Sequence, residues 1–152
     1  MSKFGDLGKV KRIDDSEEEL FKAEVLRYRA FGIPLEGVED DCSFYYYQIK
    51  NKAVIPYALY IRGRMVAGCY VSHTYDSLFI DQLFVMPELQ ESGLKLGRLL
   101  LRYVLANKDE LSQEFNTELT HSSLESINQK TTAIYQKEGY EKKGFLMTKK
   151  LR

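Results

Sequence analysis

Two stretches of the sequence hold residues whose types and spacing suit chemistry as well as packing. In residues 80–107, IDQLFVMPELQESGLKLGRLLLRYVLAN, a β-rich run ends at Pro87 and a leucine-rich helical pattern begins a few residues later. A helix start presents unpaired backbone N–H groups at the positive end of the helix dipole, which suits a phosphate. Gly93 and Gly97 would let the backbone come close to such a group. Taken by itself, a glycine at a strand-to-helix junction is an ordinary turn. In the second stretch Asn128 and Tyr135 stand seven residues apart, so on a helix they share nearly one face, two turns from each other. Alone, Tyr135 reads as a helix tyrosine packing on a sheet.

The elements that must position these residues follow from pattern. Residues 4–13 can start the fold as a strand. Asp15 or Ser16 can cap a helix that runs to about Ala30, with SEEE in its first turn and Gly32-Ile33-Pro34 to stop it. Residues 38–52, with Phe44, Tyr45, Tyr46 and Tyr47, are predicted as a short helix in preference to a loop. Strands follow at 57–61 and 65–74, joined at Arg62-Gly63-Arg64, and at 78–85. The spacing of Leu96, Leu99, Leu100, Tyr103 and Val104 predicts a helix over 93–107. A further strand is expected at 115–121, then a helix over 126–137 stopped by Gly139. Strands at 140–141 and 145–151 flank the turn Lys142-Lys143-Gly144. The late alternation of strand and helix requires at least one parallel pair with a crossover helix, and the earlier hairpins require antiparallel pairing. The class is mixed α/β.

Composition narrows the function. A chain of 152 residues fits one compact domain, 1–152. Lys plus Arg and Asp plus Glu number 22 each, so the chain lacks the net basic charge of a nucleic-acid binder. The first residues contain no apolar leader segment and no later stretch is long enough to span a membrane, so a cytoplasmic protein is expected. Cys42 and Cys69 lack CxxC spacing and read as reduced thiols.

The run ending Leu83-x-Val85-x-Pro87, with its glycine-bearing turn and LGRLLLRYV, resembles motif A of the GNAT superfamily. That motif is a strand ending L-x-V-x-P, then Q/R-x-x-G-x-G/A at the start of a leucine-rich helix. Aligned by the helix, Gly97 takes the last glycine position, Lys95 the one before it and Ser92 the Q/R position; the loop is then about two residues longer than usual. Aligned by Pro87, those positions fall to Lys95, Gly93 and Gln90. Both registers depart from the motif at Lys95, and the helix register keeps the apolar stripe in phase. Asn128-x-x-Thr131-x-x-x-Tyr135-x-x-x-Gly139-Tyr140 resembles the family's motif B, with Thr131 where alanine is usual. The hairpin IRGRMVAGCYV is similar to the strand–turn–strand element that precedes motif A. The resemblance spans 57–139; before it, only the order of elements agrees.

What the resemblance implies is a GNAT-like acyl-CoA N-acyltransferase fold, a mixed sheet of about six to seven strands flanked by about four helices. It implies transfer of an acetyl group from acetyl-coenzyme A, a co-substrate, to a primary amine of a small molecule or peptide, by direct attack through a tetrahedral intermediate. A protein lysine or N-terminal acetyltransferase, or a non-catalytic acyl-CoA sensor of the same fold, are the alternatives. The pantetheine arm would lie between strands 78–85 and 115–122, along Leu83, Phe84 and Val85, with the Phe84 or Val85 N–H on the thioester carbonyl. The diphosphate would sit on the turn formed by Ser92, Gly93, Leu94, Lys95, Leu96, Gly97 and Arg98, with Asn128 also at the cofactor. Tyr135 would be the general acid. For the base, Asp81 leads, with His73 and Asp76 as alternatives. The acceptor pocket is expected from Glu24, Tyr28, Tyr45 and Tyr46, with His73 beside them, since acidic and aromatic groups suit an ammonium. The plainer reading of that set is core aromatics and a solvated glutamate. A monomer or homodimer is expected, without nucleic acid, membrane or metal.

Overall fold

The described residues, which are 8–14, 16–90, 95–126, 129–144 and 146–152 of a computed structural model, form seven strands and five α-helices, most of them carrying apolar residues at strand or helical spacing. Asp15, Ser92, Gly93, Leu94, Asn128 and Phe145 lie outside the described residues, as does the start of the first predicted strand. In chain order the elements are β1 (Gly8–Arg12), α1 (Glu17–Phe31), α2 (Val38–Lys50), β2 (Ile55–Ile61), β3 (Arg64–Thr74), β4 (Ser77–Val85), α3 (Leu96–Ala106), α4 (Lys108–Glu114), β5 (His121–Glu125), α5 (Gln129–Lys137), β6 (Glu141–Lys143) and β7 (Leu146–Lys150). The strands form one sheet in the order β1-β2-β3-β4-β5-β7-β6, in which β4 and β5 run parallel and the other pairs antiparallel. The mixed α/β expectation is borne out.

Tyr57 on β2 pairs with Cys69 on β3, and Tyr70 is the next residue, so the two tyrosines point to opposite faces of the sheet. Tyr70 meets Glu24 of α1 and Tyr45 of α2, whereas Tyr57 meets Tyr103 of α3. Helices α1 and α2 therefore cover one face and α3 the other. The Ser16 hydroxyl caps α1 by accepting from the Glu19 N–H at 3.1 Å, as one of the two expected caps. At its far end Gly32 takes φ 67°, and the Ile33 N–H donates to the Tyr28 carbonyl at 2.9 Å, a left-handed stop. Residues 38–50 are helical, as expected.

One expectation is corrected. Residues 115–121 do not form the fifth strand: α4 occupies Lys108–Glu114, Phe115 packs in the core at its C-terminus, and the strand is His121–Glu125. The sequence KDELSQE has good helix formers and buries Leu111, while Asn116 at φ 53° turns the chain away. His-Ser-Ser-Leu-Glu has little intrinsic strand preference. Its position between β4 and β7, with ladders on both sides, makes it a strand. No described helix is long and apolar enough to cross a membrane.

Candidate active site

Among the described residues, strand β4 pairs with β5 only from Ser77↔His121 to Ile80↔Leu124, and its last residues, 81–85, run on without a partner on that side. On the other side 82–85 remain paired with β3. The Met86 N–H donates to the Val66 carbonyl at 2.8 Å, which fixes the alternation along β4. Phe84 directs its N–H toward Gly68 on β3, while the N–H groups of Leu83 and Val85 turn into the gap beyond β5. Of the two amides proposed from sequence to meet a carbonyl, Val85 faces the gap. The Val85 carbonyl is held by Gln90 Nε2 at 3.0 Å, and Gln90 also reaches the Ala30 carbonyl at 3.2 Å, tying the strand end to α1.

The first turn of α3 stands beside this strand end, since a Cβ on Gly97 would lie 3.3 Å from Val85 Cγ2. Lys95 is the residue before the helix and holds the left-handed conformation, φ 53° and ψ 42°, where the motif has a glycine. The first helical bond runs from the Leu99 N–H to the Lys95 carbonyl, so the amides of Leu96, Gly97 and Arg98 precede the bonded ladder and suit an anion. Arg98's guanidinium is already engaged: its Nε and Nη2 donate to Glu138 at 3.0 and 2.7 Å.

Tyr135 lies on α5, half-buried, with its ring 6.0 Å from that of Tyr140. Its hydroxyl has no hydrogen-bond partner among the described residues. Burial pushes the phenol up to about 12, with the nearby Cys69 adding to the shift. Cys69 is wholly buried opposite Leu83 and within electrostatic reach of Asp81 as well.

Asp81 is the extra residue of a β-bulge, because Tyr70 pairs with Gln82 and Val71 with Ile80. Its carboxylate accepts from Ser72 Oγ at 3.0 Å. Burial raises it to about 6 against the lowering effect of that hydrogen bond. The bulge stands where β5 stops pairing, and Gln82 beside it donates to the Tyr45 hydroxyl at 3.3 Å.

The expected acceptor residues divide. Glu24 is fully buried and accepts from Arg27 twice, at 2.9 Å each, and from the Tyr70 hydroxyl at 2.8 Å. It is closed off from any substrate and acts instead by holding Arg27, whose guanidinium lies over the Tyr28 and Tyr45 rings and reaches Asp41 at 3.0 Å. Tyr28 is buried and donates to Asp41 at 2.5 Å. The Tyr45 hydroxyl accepts from Gln82 on β4, while Tyr46 packs under Lys50 on α2. His73 does not join the site. It pairs with Leu78 at the opposite end of β4, roughly 20 Å from Val85 at strand rise, and its ring lies tilted 4.9 Å from that of Phe115. Asp76 lies at that same far end and accepts from Thr120.

Arg27, Asp41, Gln82, Arg102 and Glu138 escaped the sequence reading. The pair Arg98 and Arg102, one helical turn apart on α3, was the available signal for a shared acidic partner.

No protein-family model matches the chain, and no curated protein sequence matches it. Solved structures do. The ribosomal-protein-S18-alanine N-acetyltransferase from Escherichia coli superposes with TM-score 0.72 at 18% identity, over 95% of this chain and 94% of that one. The PaiA N-acetyltransferase from Thermoplasma acidophilum, in complex with coenzyme A, gives 0.66 at 15% identity, over 93% and 99%. The spermidine/spermine N-acetyltransferase SpeG from Vibrio cholerae gives 0.71 at 16%, over 97% and 95%. The chain therefore has the fold of the GNAT N-acetyltransferases.

Proposed function

We propose that this protein is an acetyl-coenzyme A-dependent N-acetyltransferase acting on a primary amine of a small molecule or peptide. The observation that carries the reading is the gap beyond Ile80 and Leu124, where the Val85 N–H points away from β3 beside the open amides of α3. An extended pantetheine arm can pair there as an added strand, with its diphosphate on the Lys95–Arg98 amides; Ser92, Gly93 and Leu94 are proposed to contact it as well. Asn128 is proposed to contact the same ligand. Similarity of fold to a coenzyme A complex supports the choice of ligand.

The residues divide the chemistry as follows. An alkylammonium titrates near about 10 in water and must lose a proton before attack. Asp81, at about 6, is ionised at neutral pH and takes that proton, directly or through a water. The amine nitrogen then bonds to the thioester carbonyl carbon, and the oxygen gains the negative charge that the Val85 N–H stabilises; such a donor is worth about a hundredfold in rate. Collapse breaks the carbon–sulfur bond, the departing thiolate takes the Tyr135 proton, and the nitrogen gives up its remaining extra proton, which restores the phenol. Burial raises the phenol, and the same desolvation disfavours a bare thiolate, so the proton moves between two groups shifted in the same direction. Tyr45 and Gln82, next to Asp81, would line the acceptor's approach.

The experiment is release of free thiol from acetyl-coenzyme A, followed across amino acids, polyamines, aminoglycosides and peptides. Amine-dependent release is expected with at least one class. Absence of release with all of them, together with no calorimetric heat on adding coenzyme A, ends the reading.

A further inference from the structure

Glu138 stands three residues after Tyr135, just beyond the end of α5, and is buried although charged. Its two oxygens accept four hydrogen bonds from α3: Arg102 Nε at 2.6 Å and Nη2 at 2.8 Å, Arg98 Nε at 3.0 Å and Nη2 at 2.7 Å. The backbone binds it closely to the tyrosine. Its N–H donates to the Tyr135 carbonyl at 3.0 Å, and the Tyr140 N–H donates to that same carbonyl at 3.1 Å. Its own carbonyl accepts from Lys149 Nζ at 2.6 Å, which anchors the turn to β7.

Arg98 sits in the first turn of α3, where a cation opposes the helix dipole. Glu138 supplies an anion that faces it there. Hydrogen bonds from Arg102, outweighing burial and reinforced by Arg98, hold the carboxyl down at about 2, so it is ionised throughout the neutral range. A glutamine in its place would turn an NH2 group toward guanidinium donors and lose at least one of the two acceptor sides.

We infer that Glu138 is a positioning residue for Tyr135: it pins the end of α5 to α3, so that the helix start facing the strand gap and the helix bearing the phenol keep one fixed relation. The inference rests on the acetyl-transfer reading for its consequence, and on the four hydrogen bonds for the joint itself.

A two-armed experiment separates the two. In the first arm, amide hydrogen exchange is compared in the wild type, Glu138→Gln and Arg102→Gln. Arg102 is partly solvent-exposed, so its replacement spares the fold and removes half of the joint. Faster exchange at 133–140 in both variants is expected, and unchanged exchange there overturns the inference whether or not the protein turns over. In the second arm, kcat is measured in a double-mutant cycle with Tyr135→Phe. Glu138→Gln should lower kcat roughly tenfold when Tyr135 is present, the scale of a slightly displaced catalytic group. In the Tyr135→Phe background the further loss should be less than about twofold, since the two changes then act on one step. Equal losses in both backgrounds would mean that Glu138 does not act through the tyrosine. A wild type without any turnover defeats the acetyl-transfer reading alone, and the exchange arm still judges the joint.

Discussion

The ring of Phe84 occupies the space in which a side chain at Gly68 would stand: an added Cβ would lie 2.2 Å from Cζ and 2.6 Å from Cε2. The two residues are directly paired across β3 and β4, and Phe84 is fully inside the core. Strand β3 cannot move away, because β2 holds it on its far side. Gly68→Ala should therefore force the ring off its position and cost about 1–3 kcal/mol, the usual range for overpacking. Urea unfolding reads this as a lower midpoint with an unchanged slope. Since Val85 follows Phe84, the same change should also weaken thiol release in the fraction that stays folded. An unshifted midpoint would mean that the ring has room to yield.

Asp81 carries a conflict between stability and use. Folding raises its carboxyl to about 6, so the folded protein holds a proton there more tightly than the unfolded chain does. The ionised form therefore burdens the folded state at pH above about 6, and the burden fades as pH falls through 6 toward 4. Asp81→Asn should accordingly raise Tm at pH 7.5, with a gain that shrinks at pH 4, while kcat falls strongly. The wild-type rate should itself decline on the acid side near pH 6. A variant that keeps its full rate would remove Asp81 as the base, whatever its Tm.

How far this could be read from the sequence depended on whether local pattern or tertiary pairing decided each element. The leucine stripe of 96–104 and the Gly63 hairpin are local signals, and both became the expected elements. Residues 115–125 went the other way: Phe115 has strand preference but ends a helix, and Ser122-Ser123 has little but is paired on both edges. The site residues divide similarly. Tyr135 and the 95–98 turn stood out by motif spacing. Glu24 was misjudged because its partners, Arg27 and Tyr70, are chosen by the packing of α1 on β3; a buried glutamate and a solvated one look the same in a sequence. His73 fell to strand length, which carries it to the far end of the sheet from Val85.

Tyr135 offers a cleaner separation of chemistry from structure. Its hydroxyl lacks a hydrogen-bond partner among the described residues, so deleting that oxygen strands no donor or acceptor among them. Tyr135→Phe should leave Tm within about 1 °C or raise it slightly, given how small the effect of an unpaired group's removal is. Coenzyme A binding, read by calorimetry, should hold, while kcat drops strongly because the departing thiolate loses its proton source. Equal kcat in the two proteins would remove the phenol from the mechanism.

Lys95 tests whether the turn holds its ligand by backbone or by side chain. A non-glycine residue in the left-handed region is strained by roughly 1–2 kcal/mol, and Lys95 sits there at φ 53° with its side chain in solvent and no capping hydrogen bond. Lys95→Gly relieves the strain but adds about 0.4–1 kcal/mol of freedom to the unfolded chain, so a net stabilisation of about 1 kcal/mol or less is expected. If the amides do the holding, coenzyme A affinity changes little and loses only a small part of its salt dependence. Lys95→Pro reverses every term: proline fixes φ near about −65°, cannot reach the left-handed region and removes an N–H at the helix start. It should lower stability and abolish detectable coenzyme A binding. Should the glycine variant instead lose most of its affinity while staying folded, the ammonium would be the main contact and the amides of 95–98 secondary. Calorimetry of both variants, at two salt concentrations, decides between them.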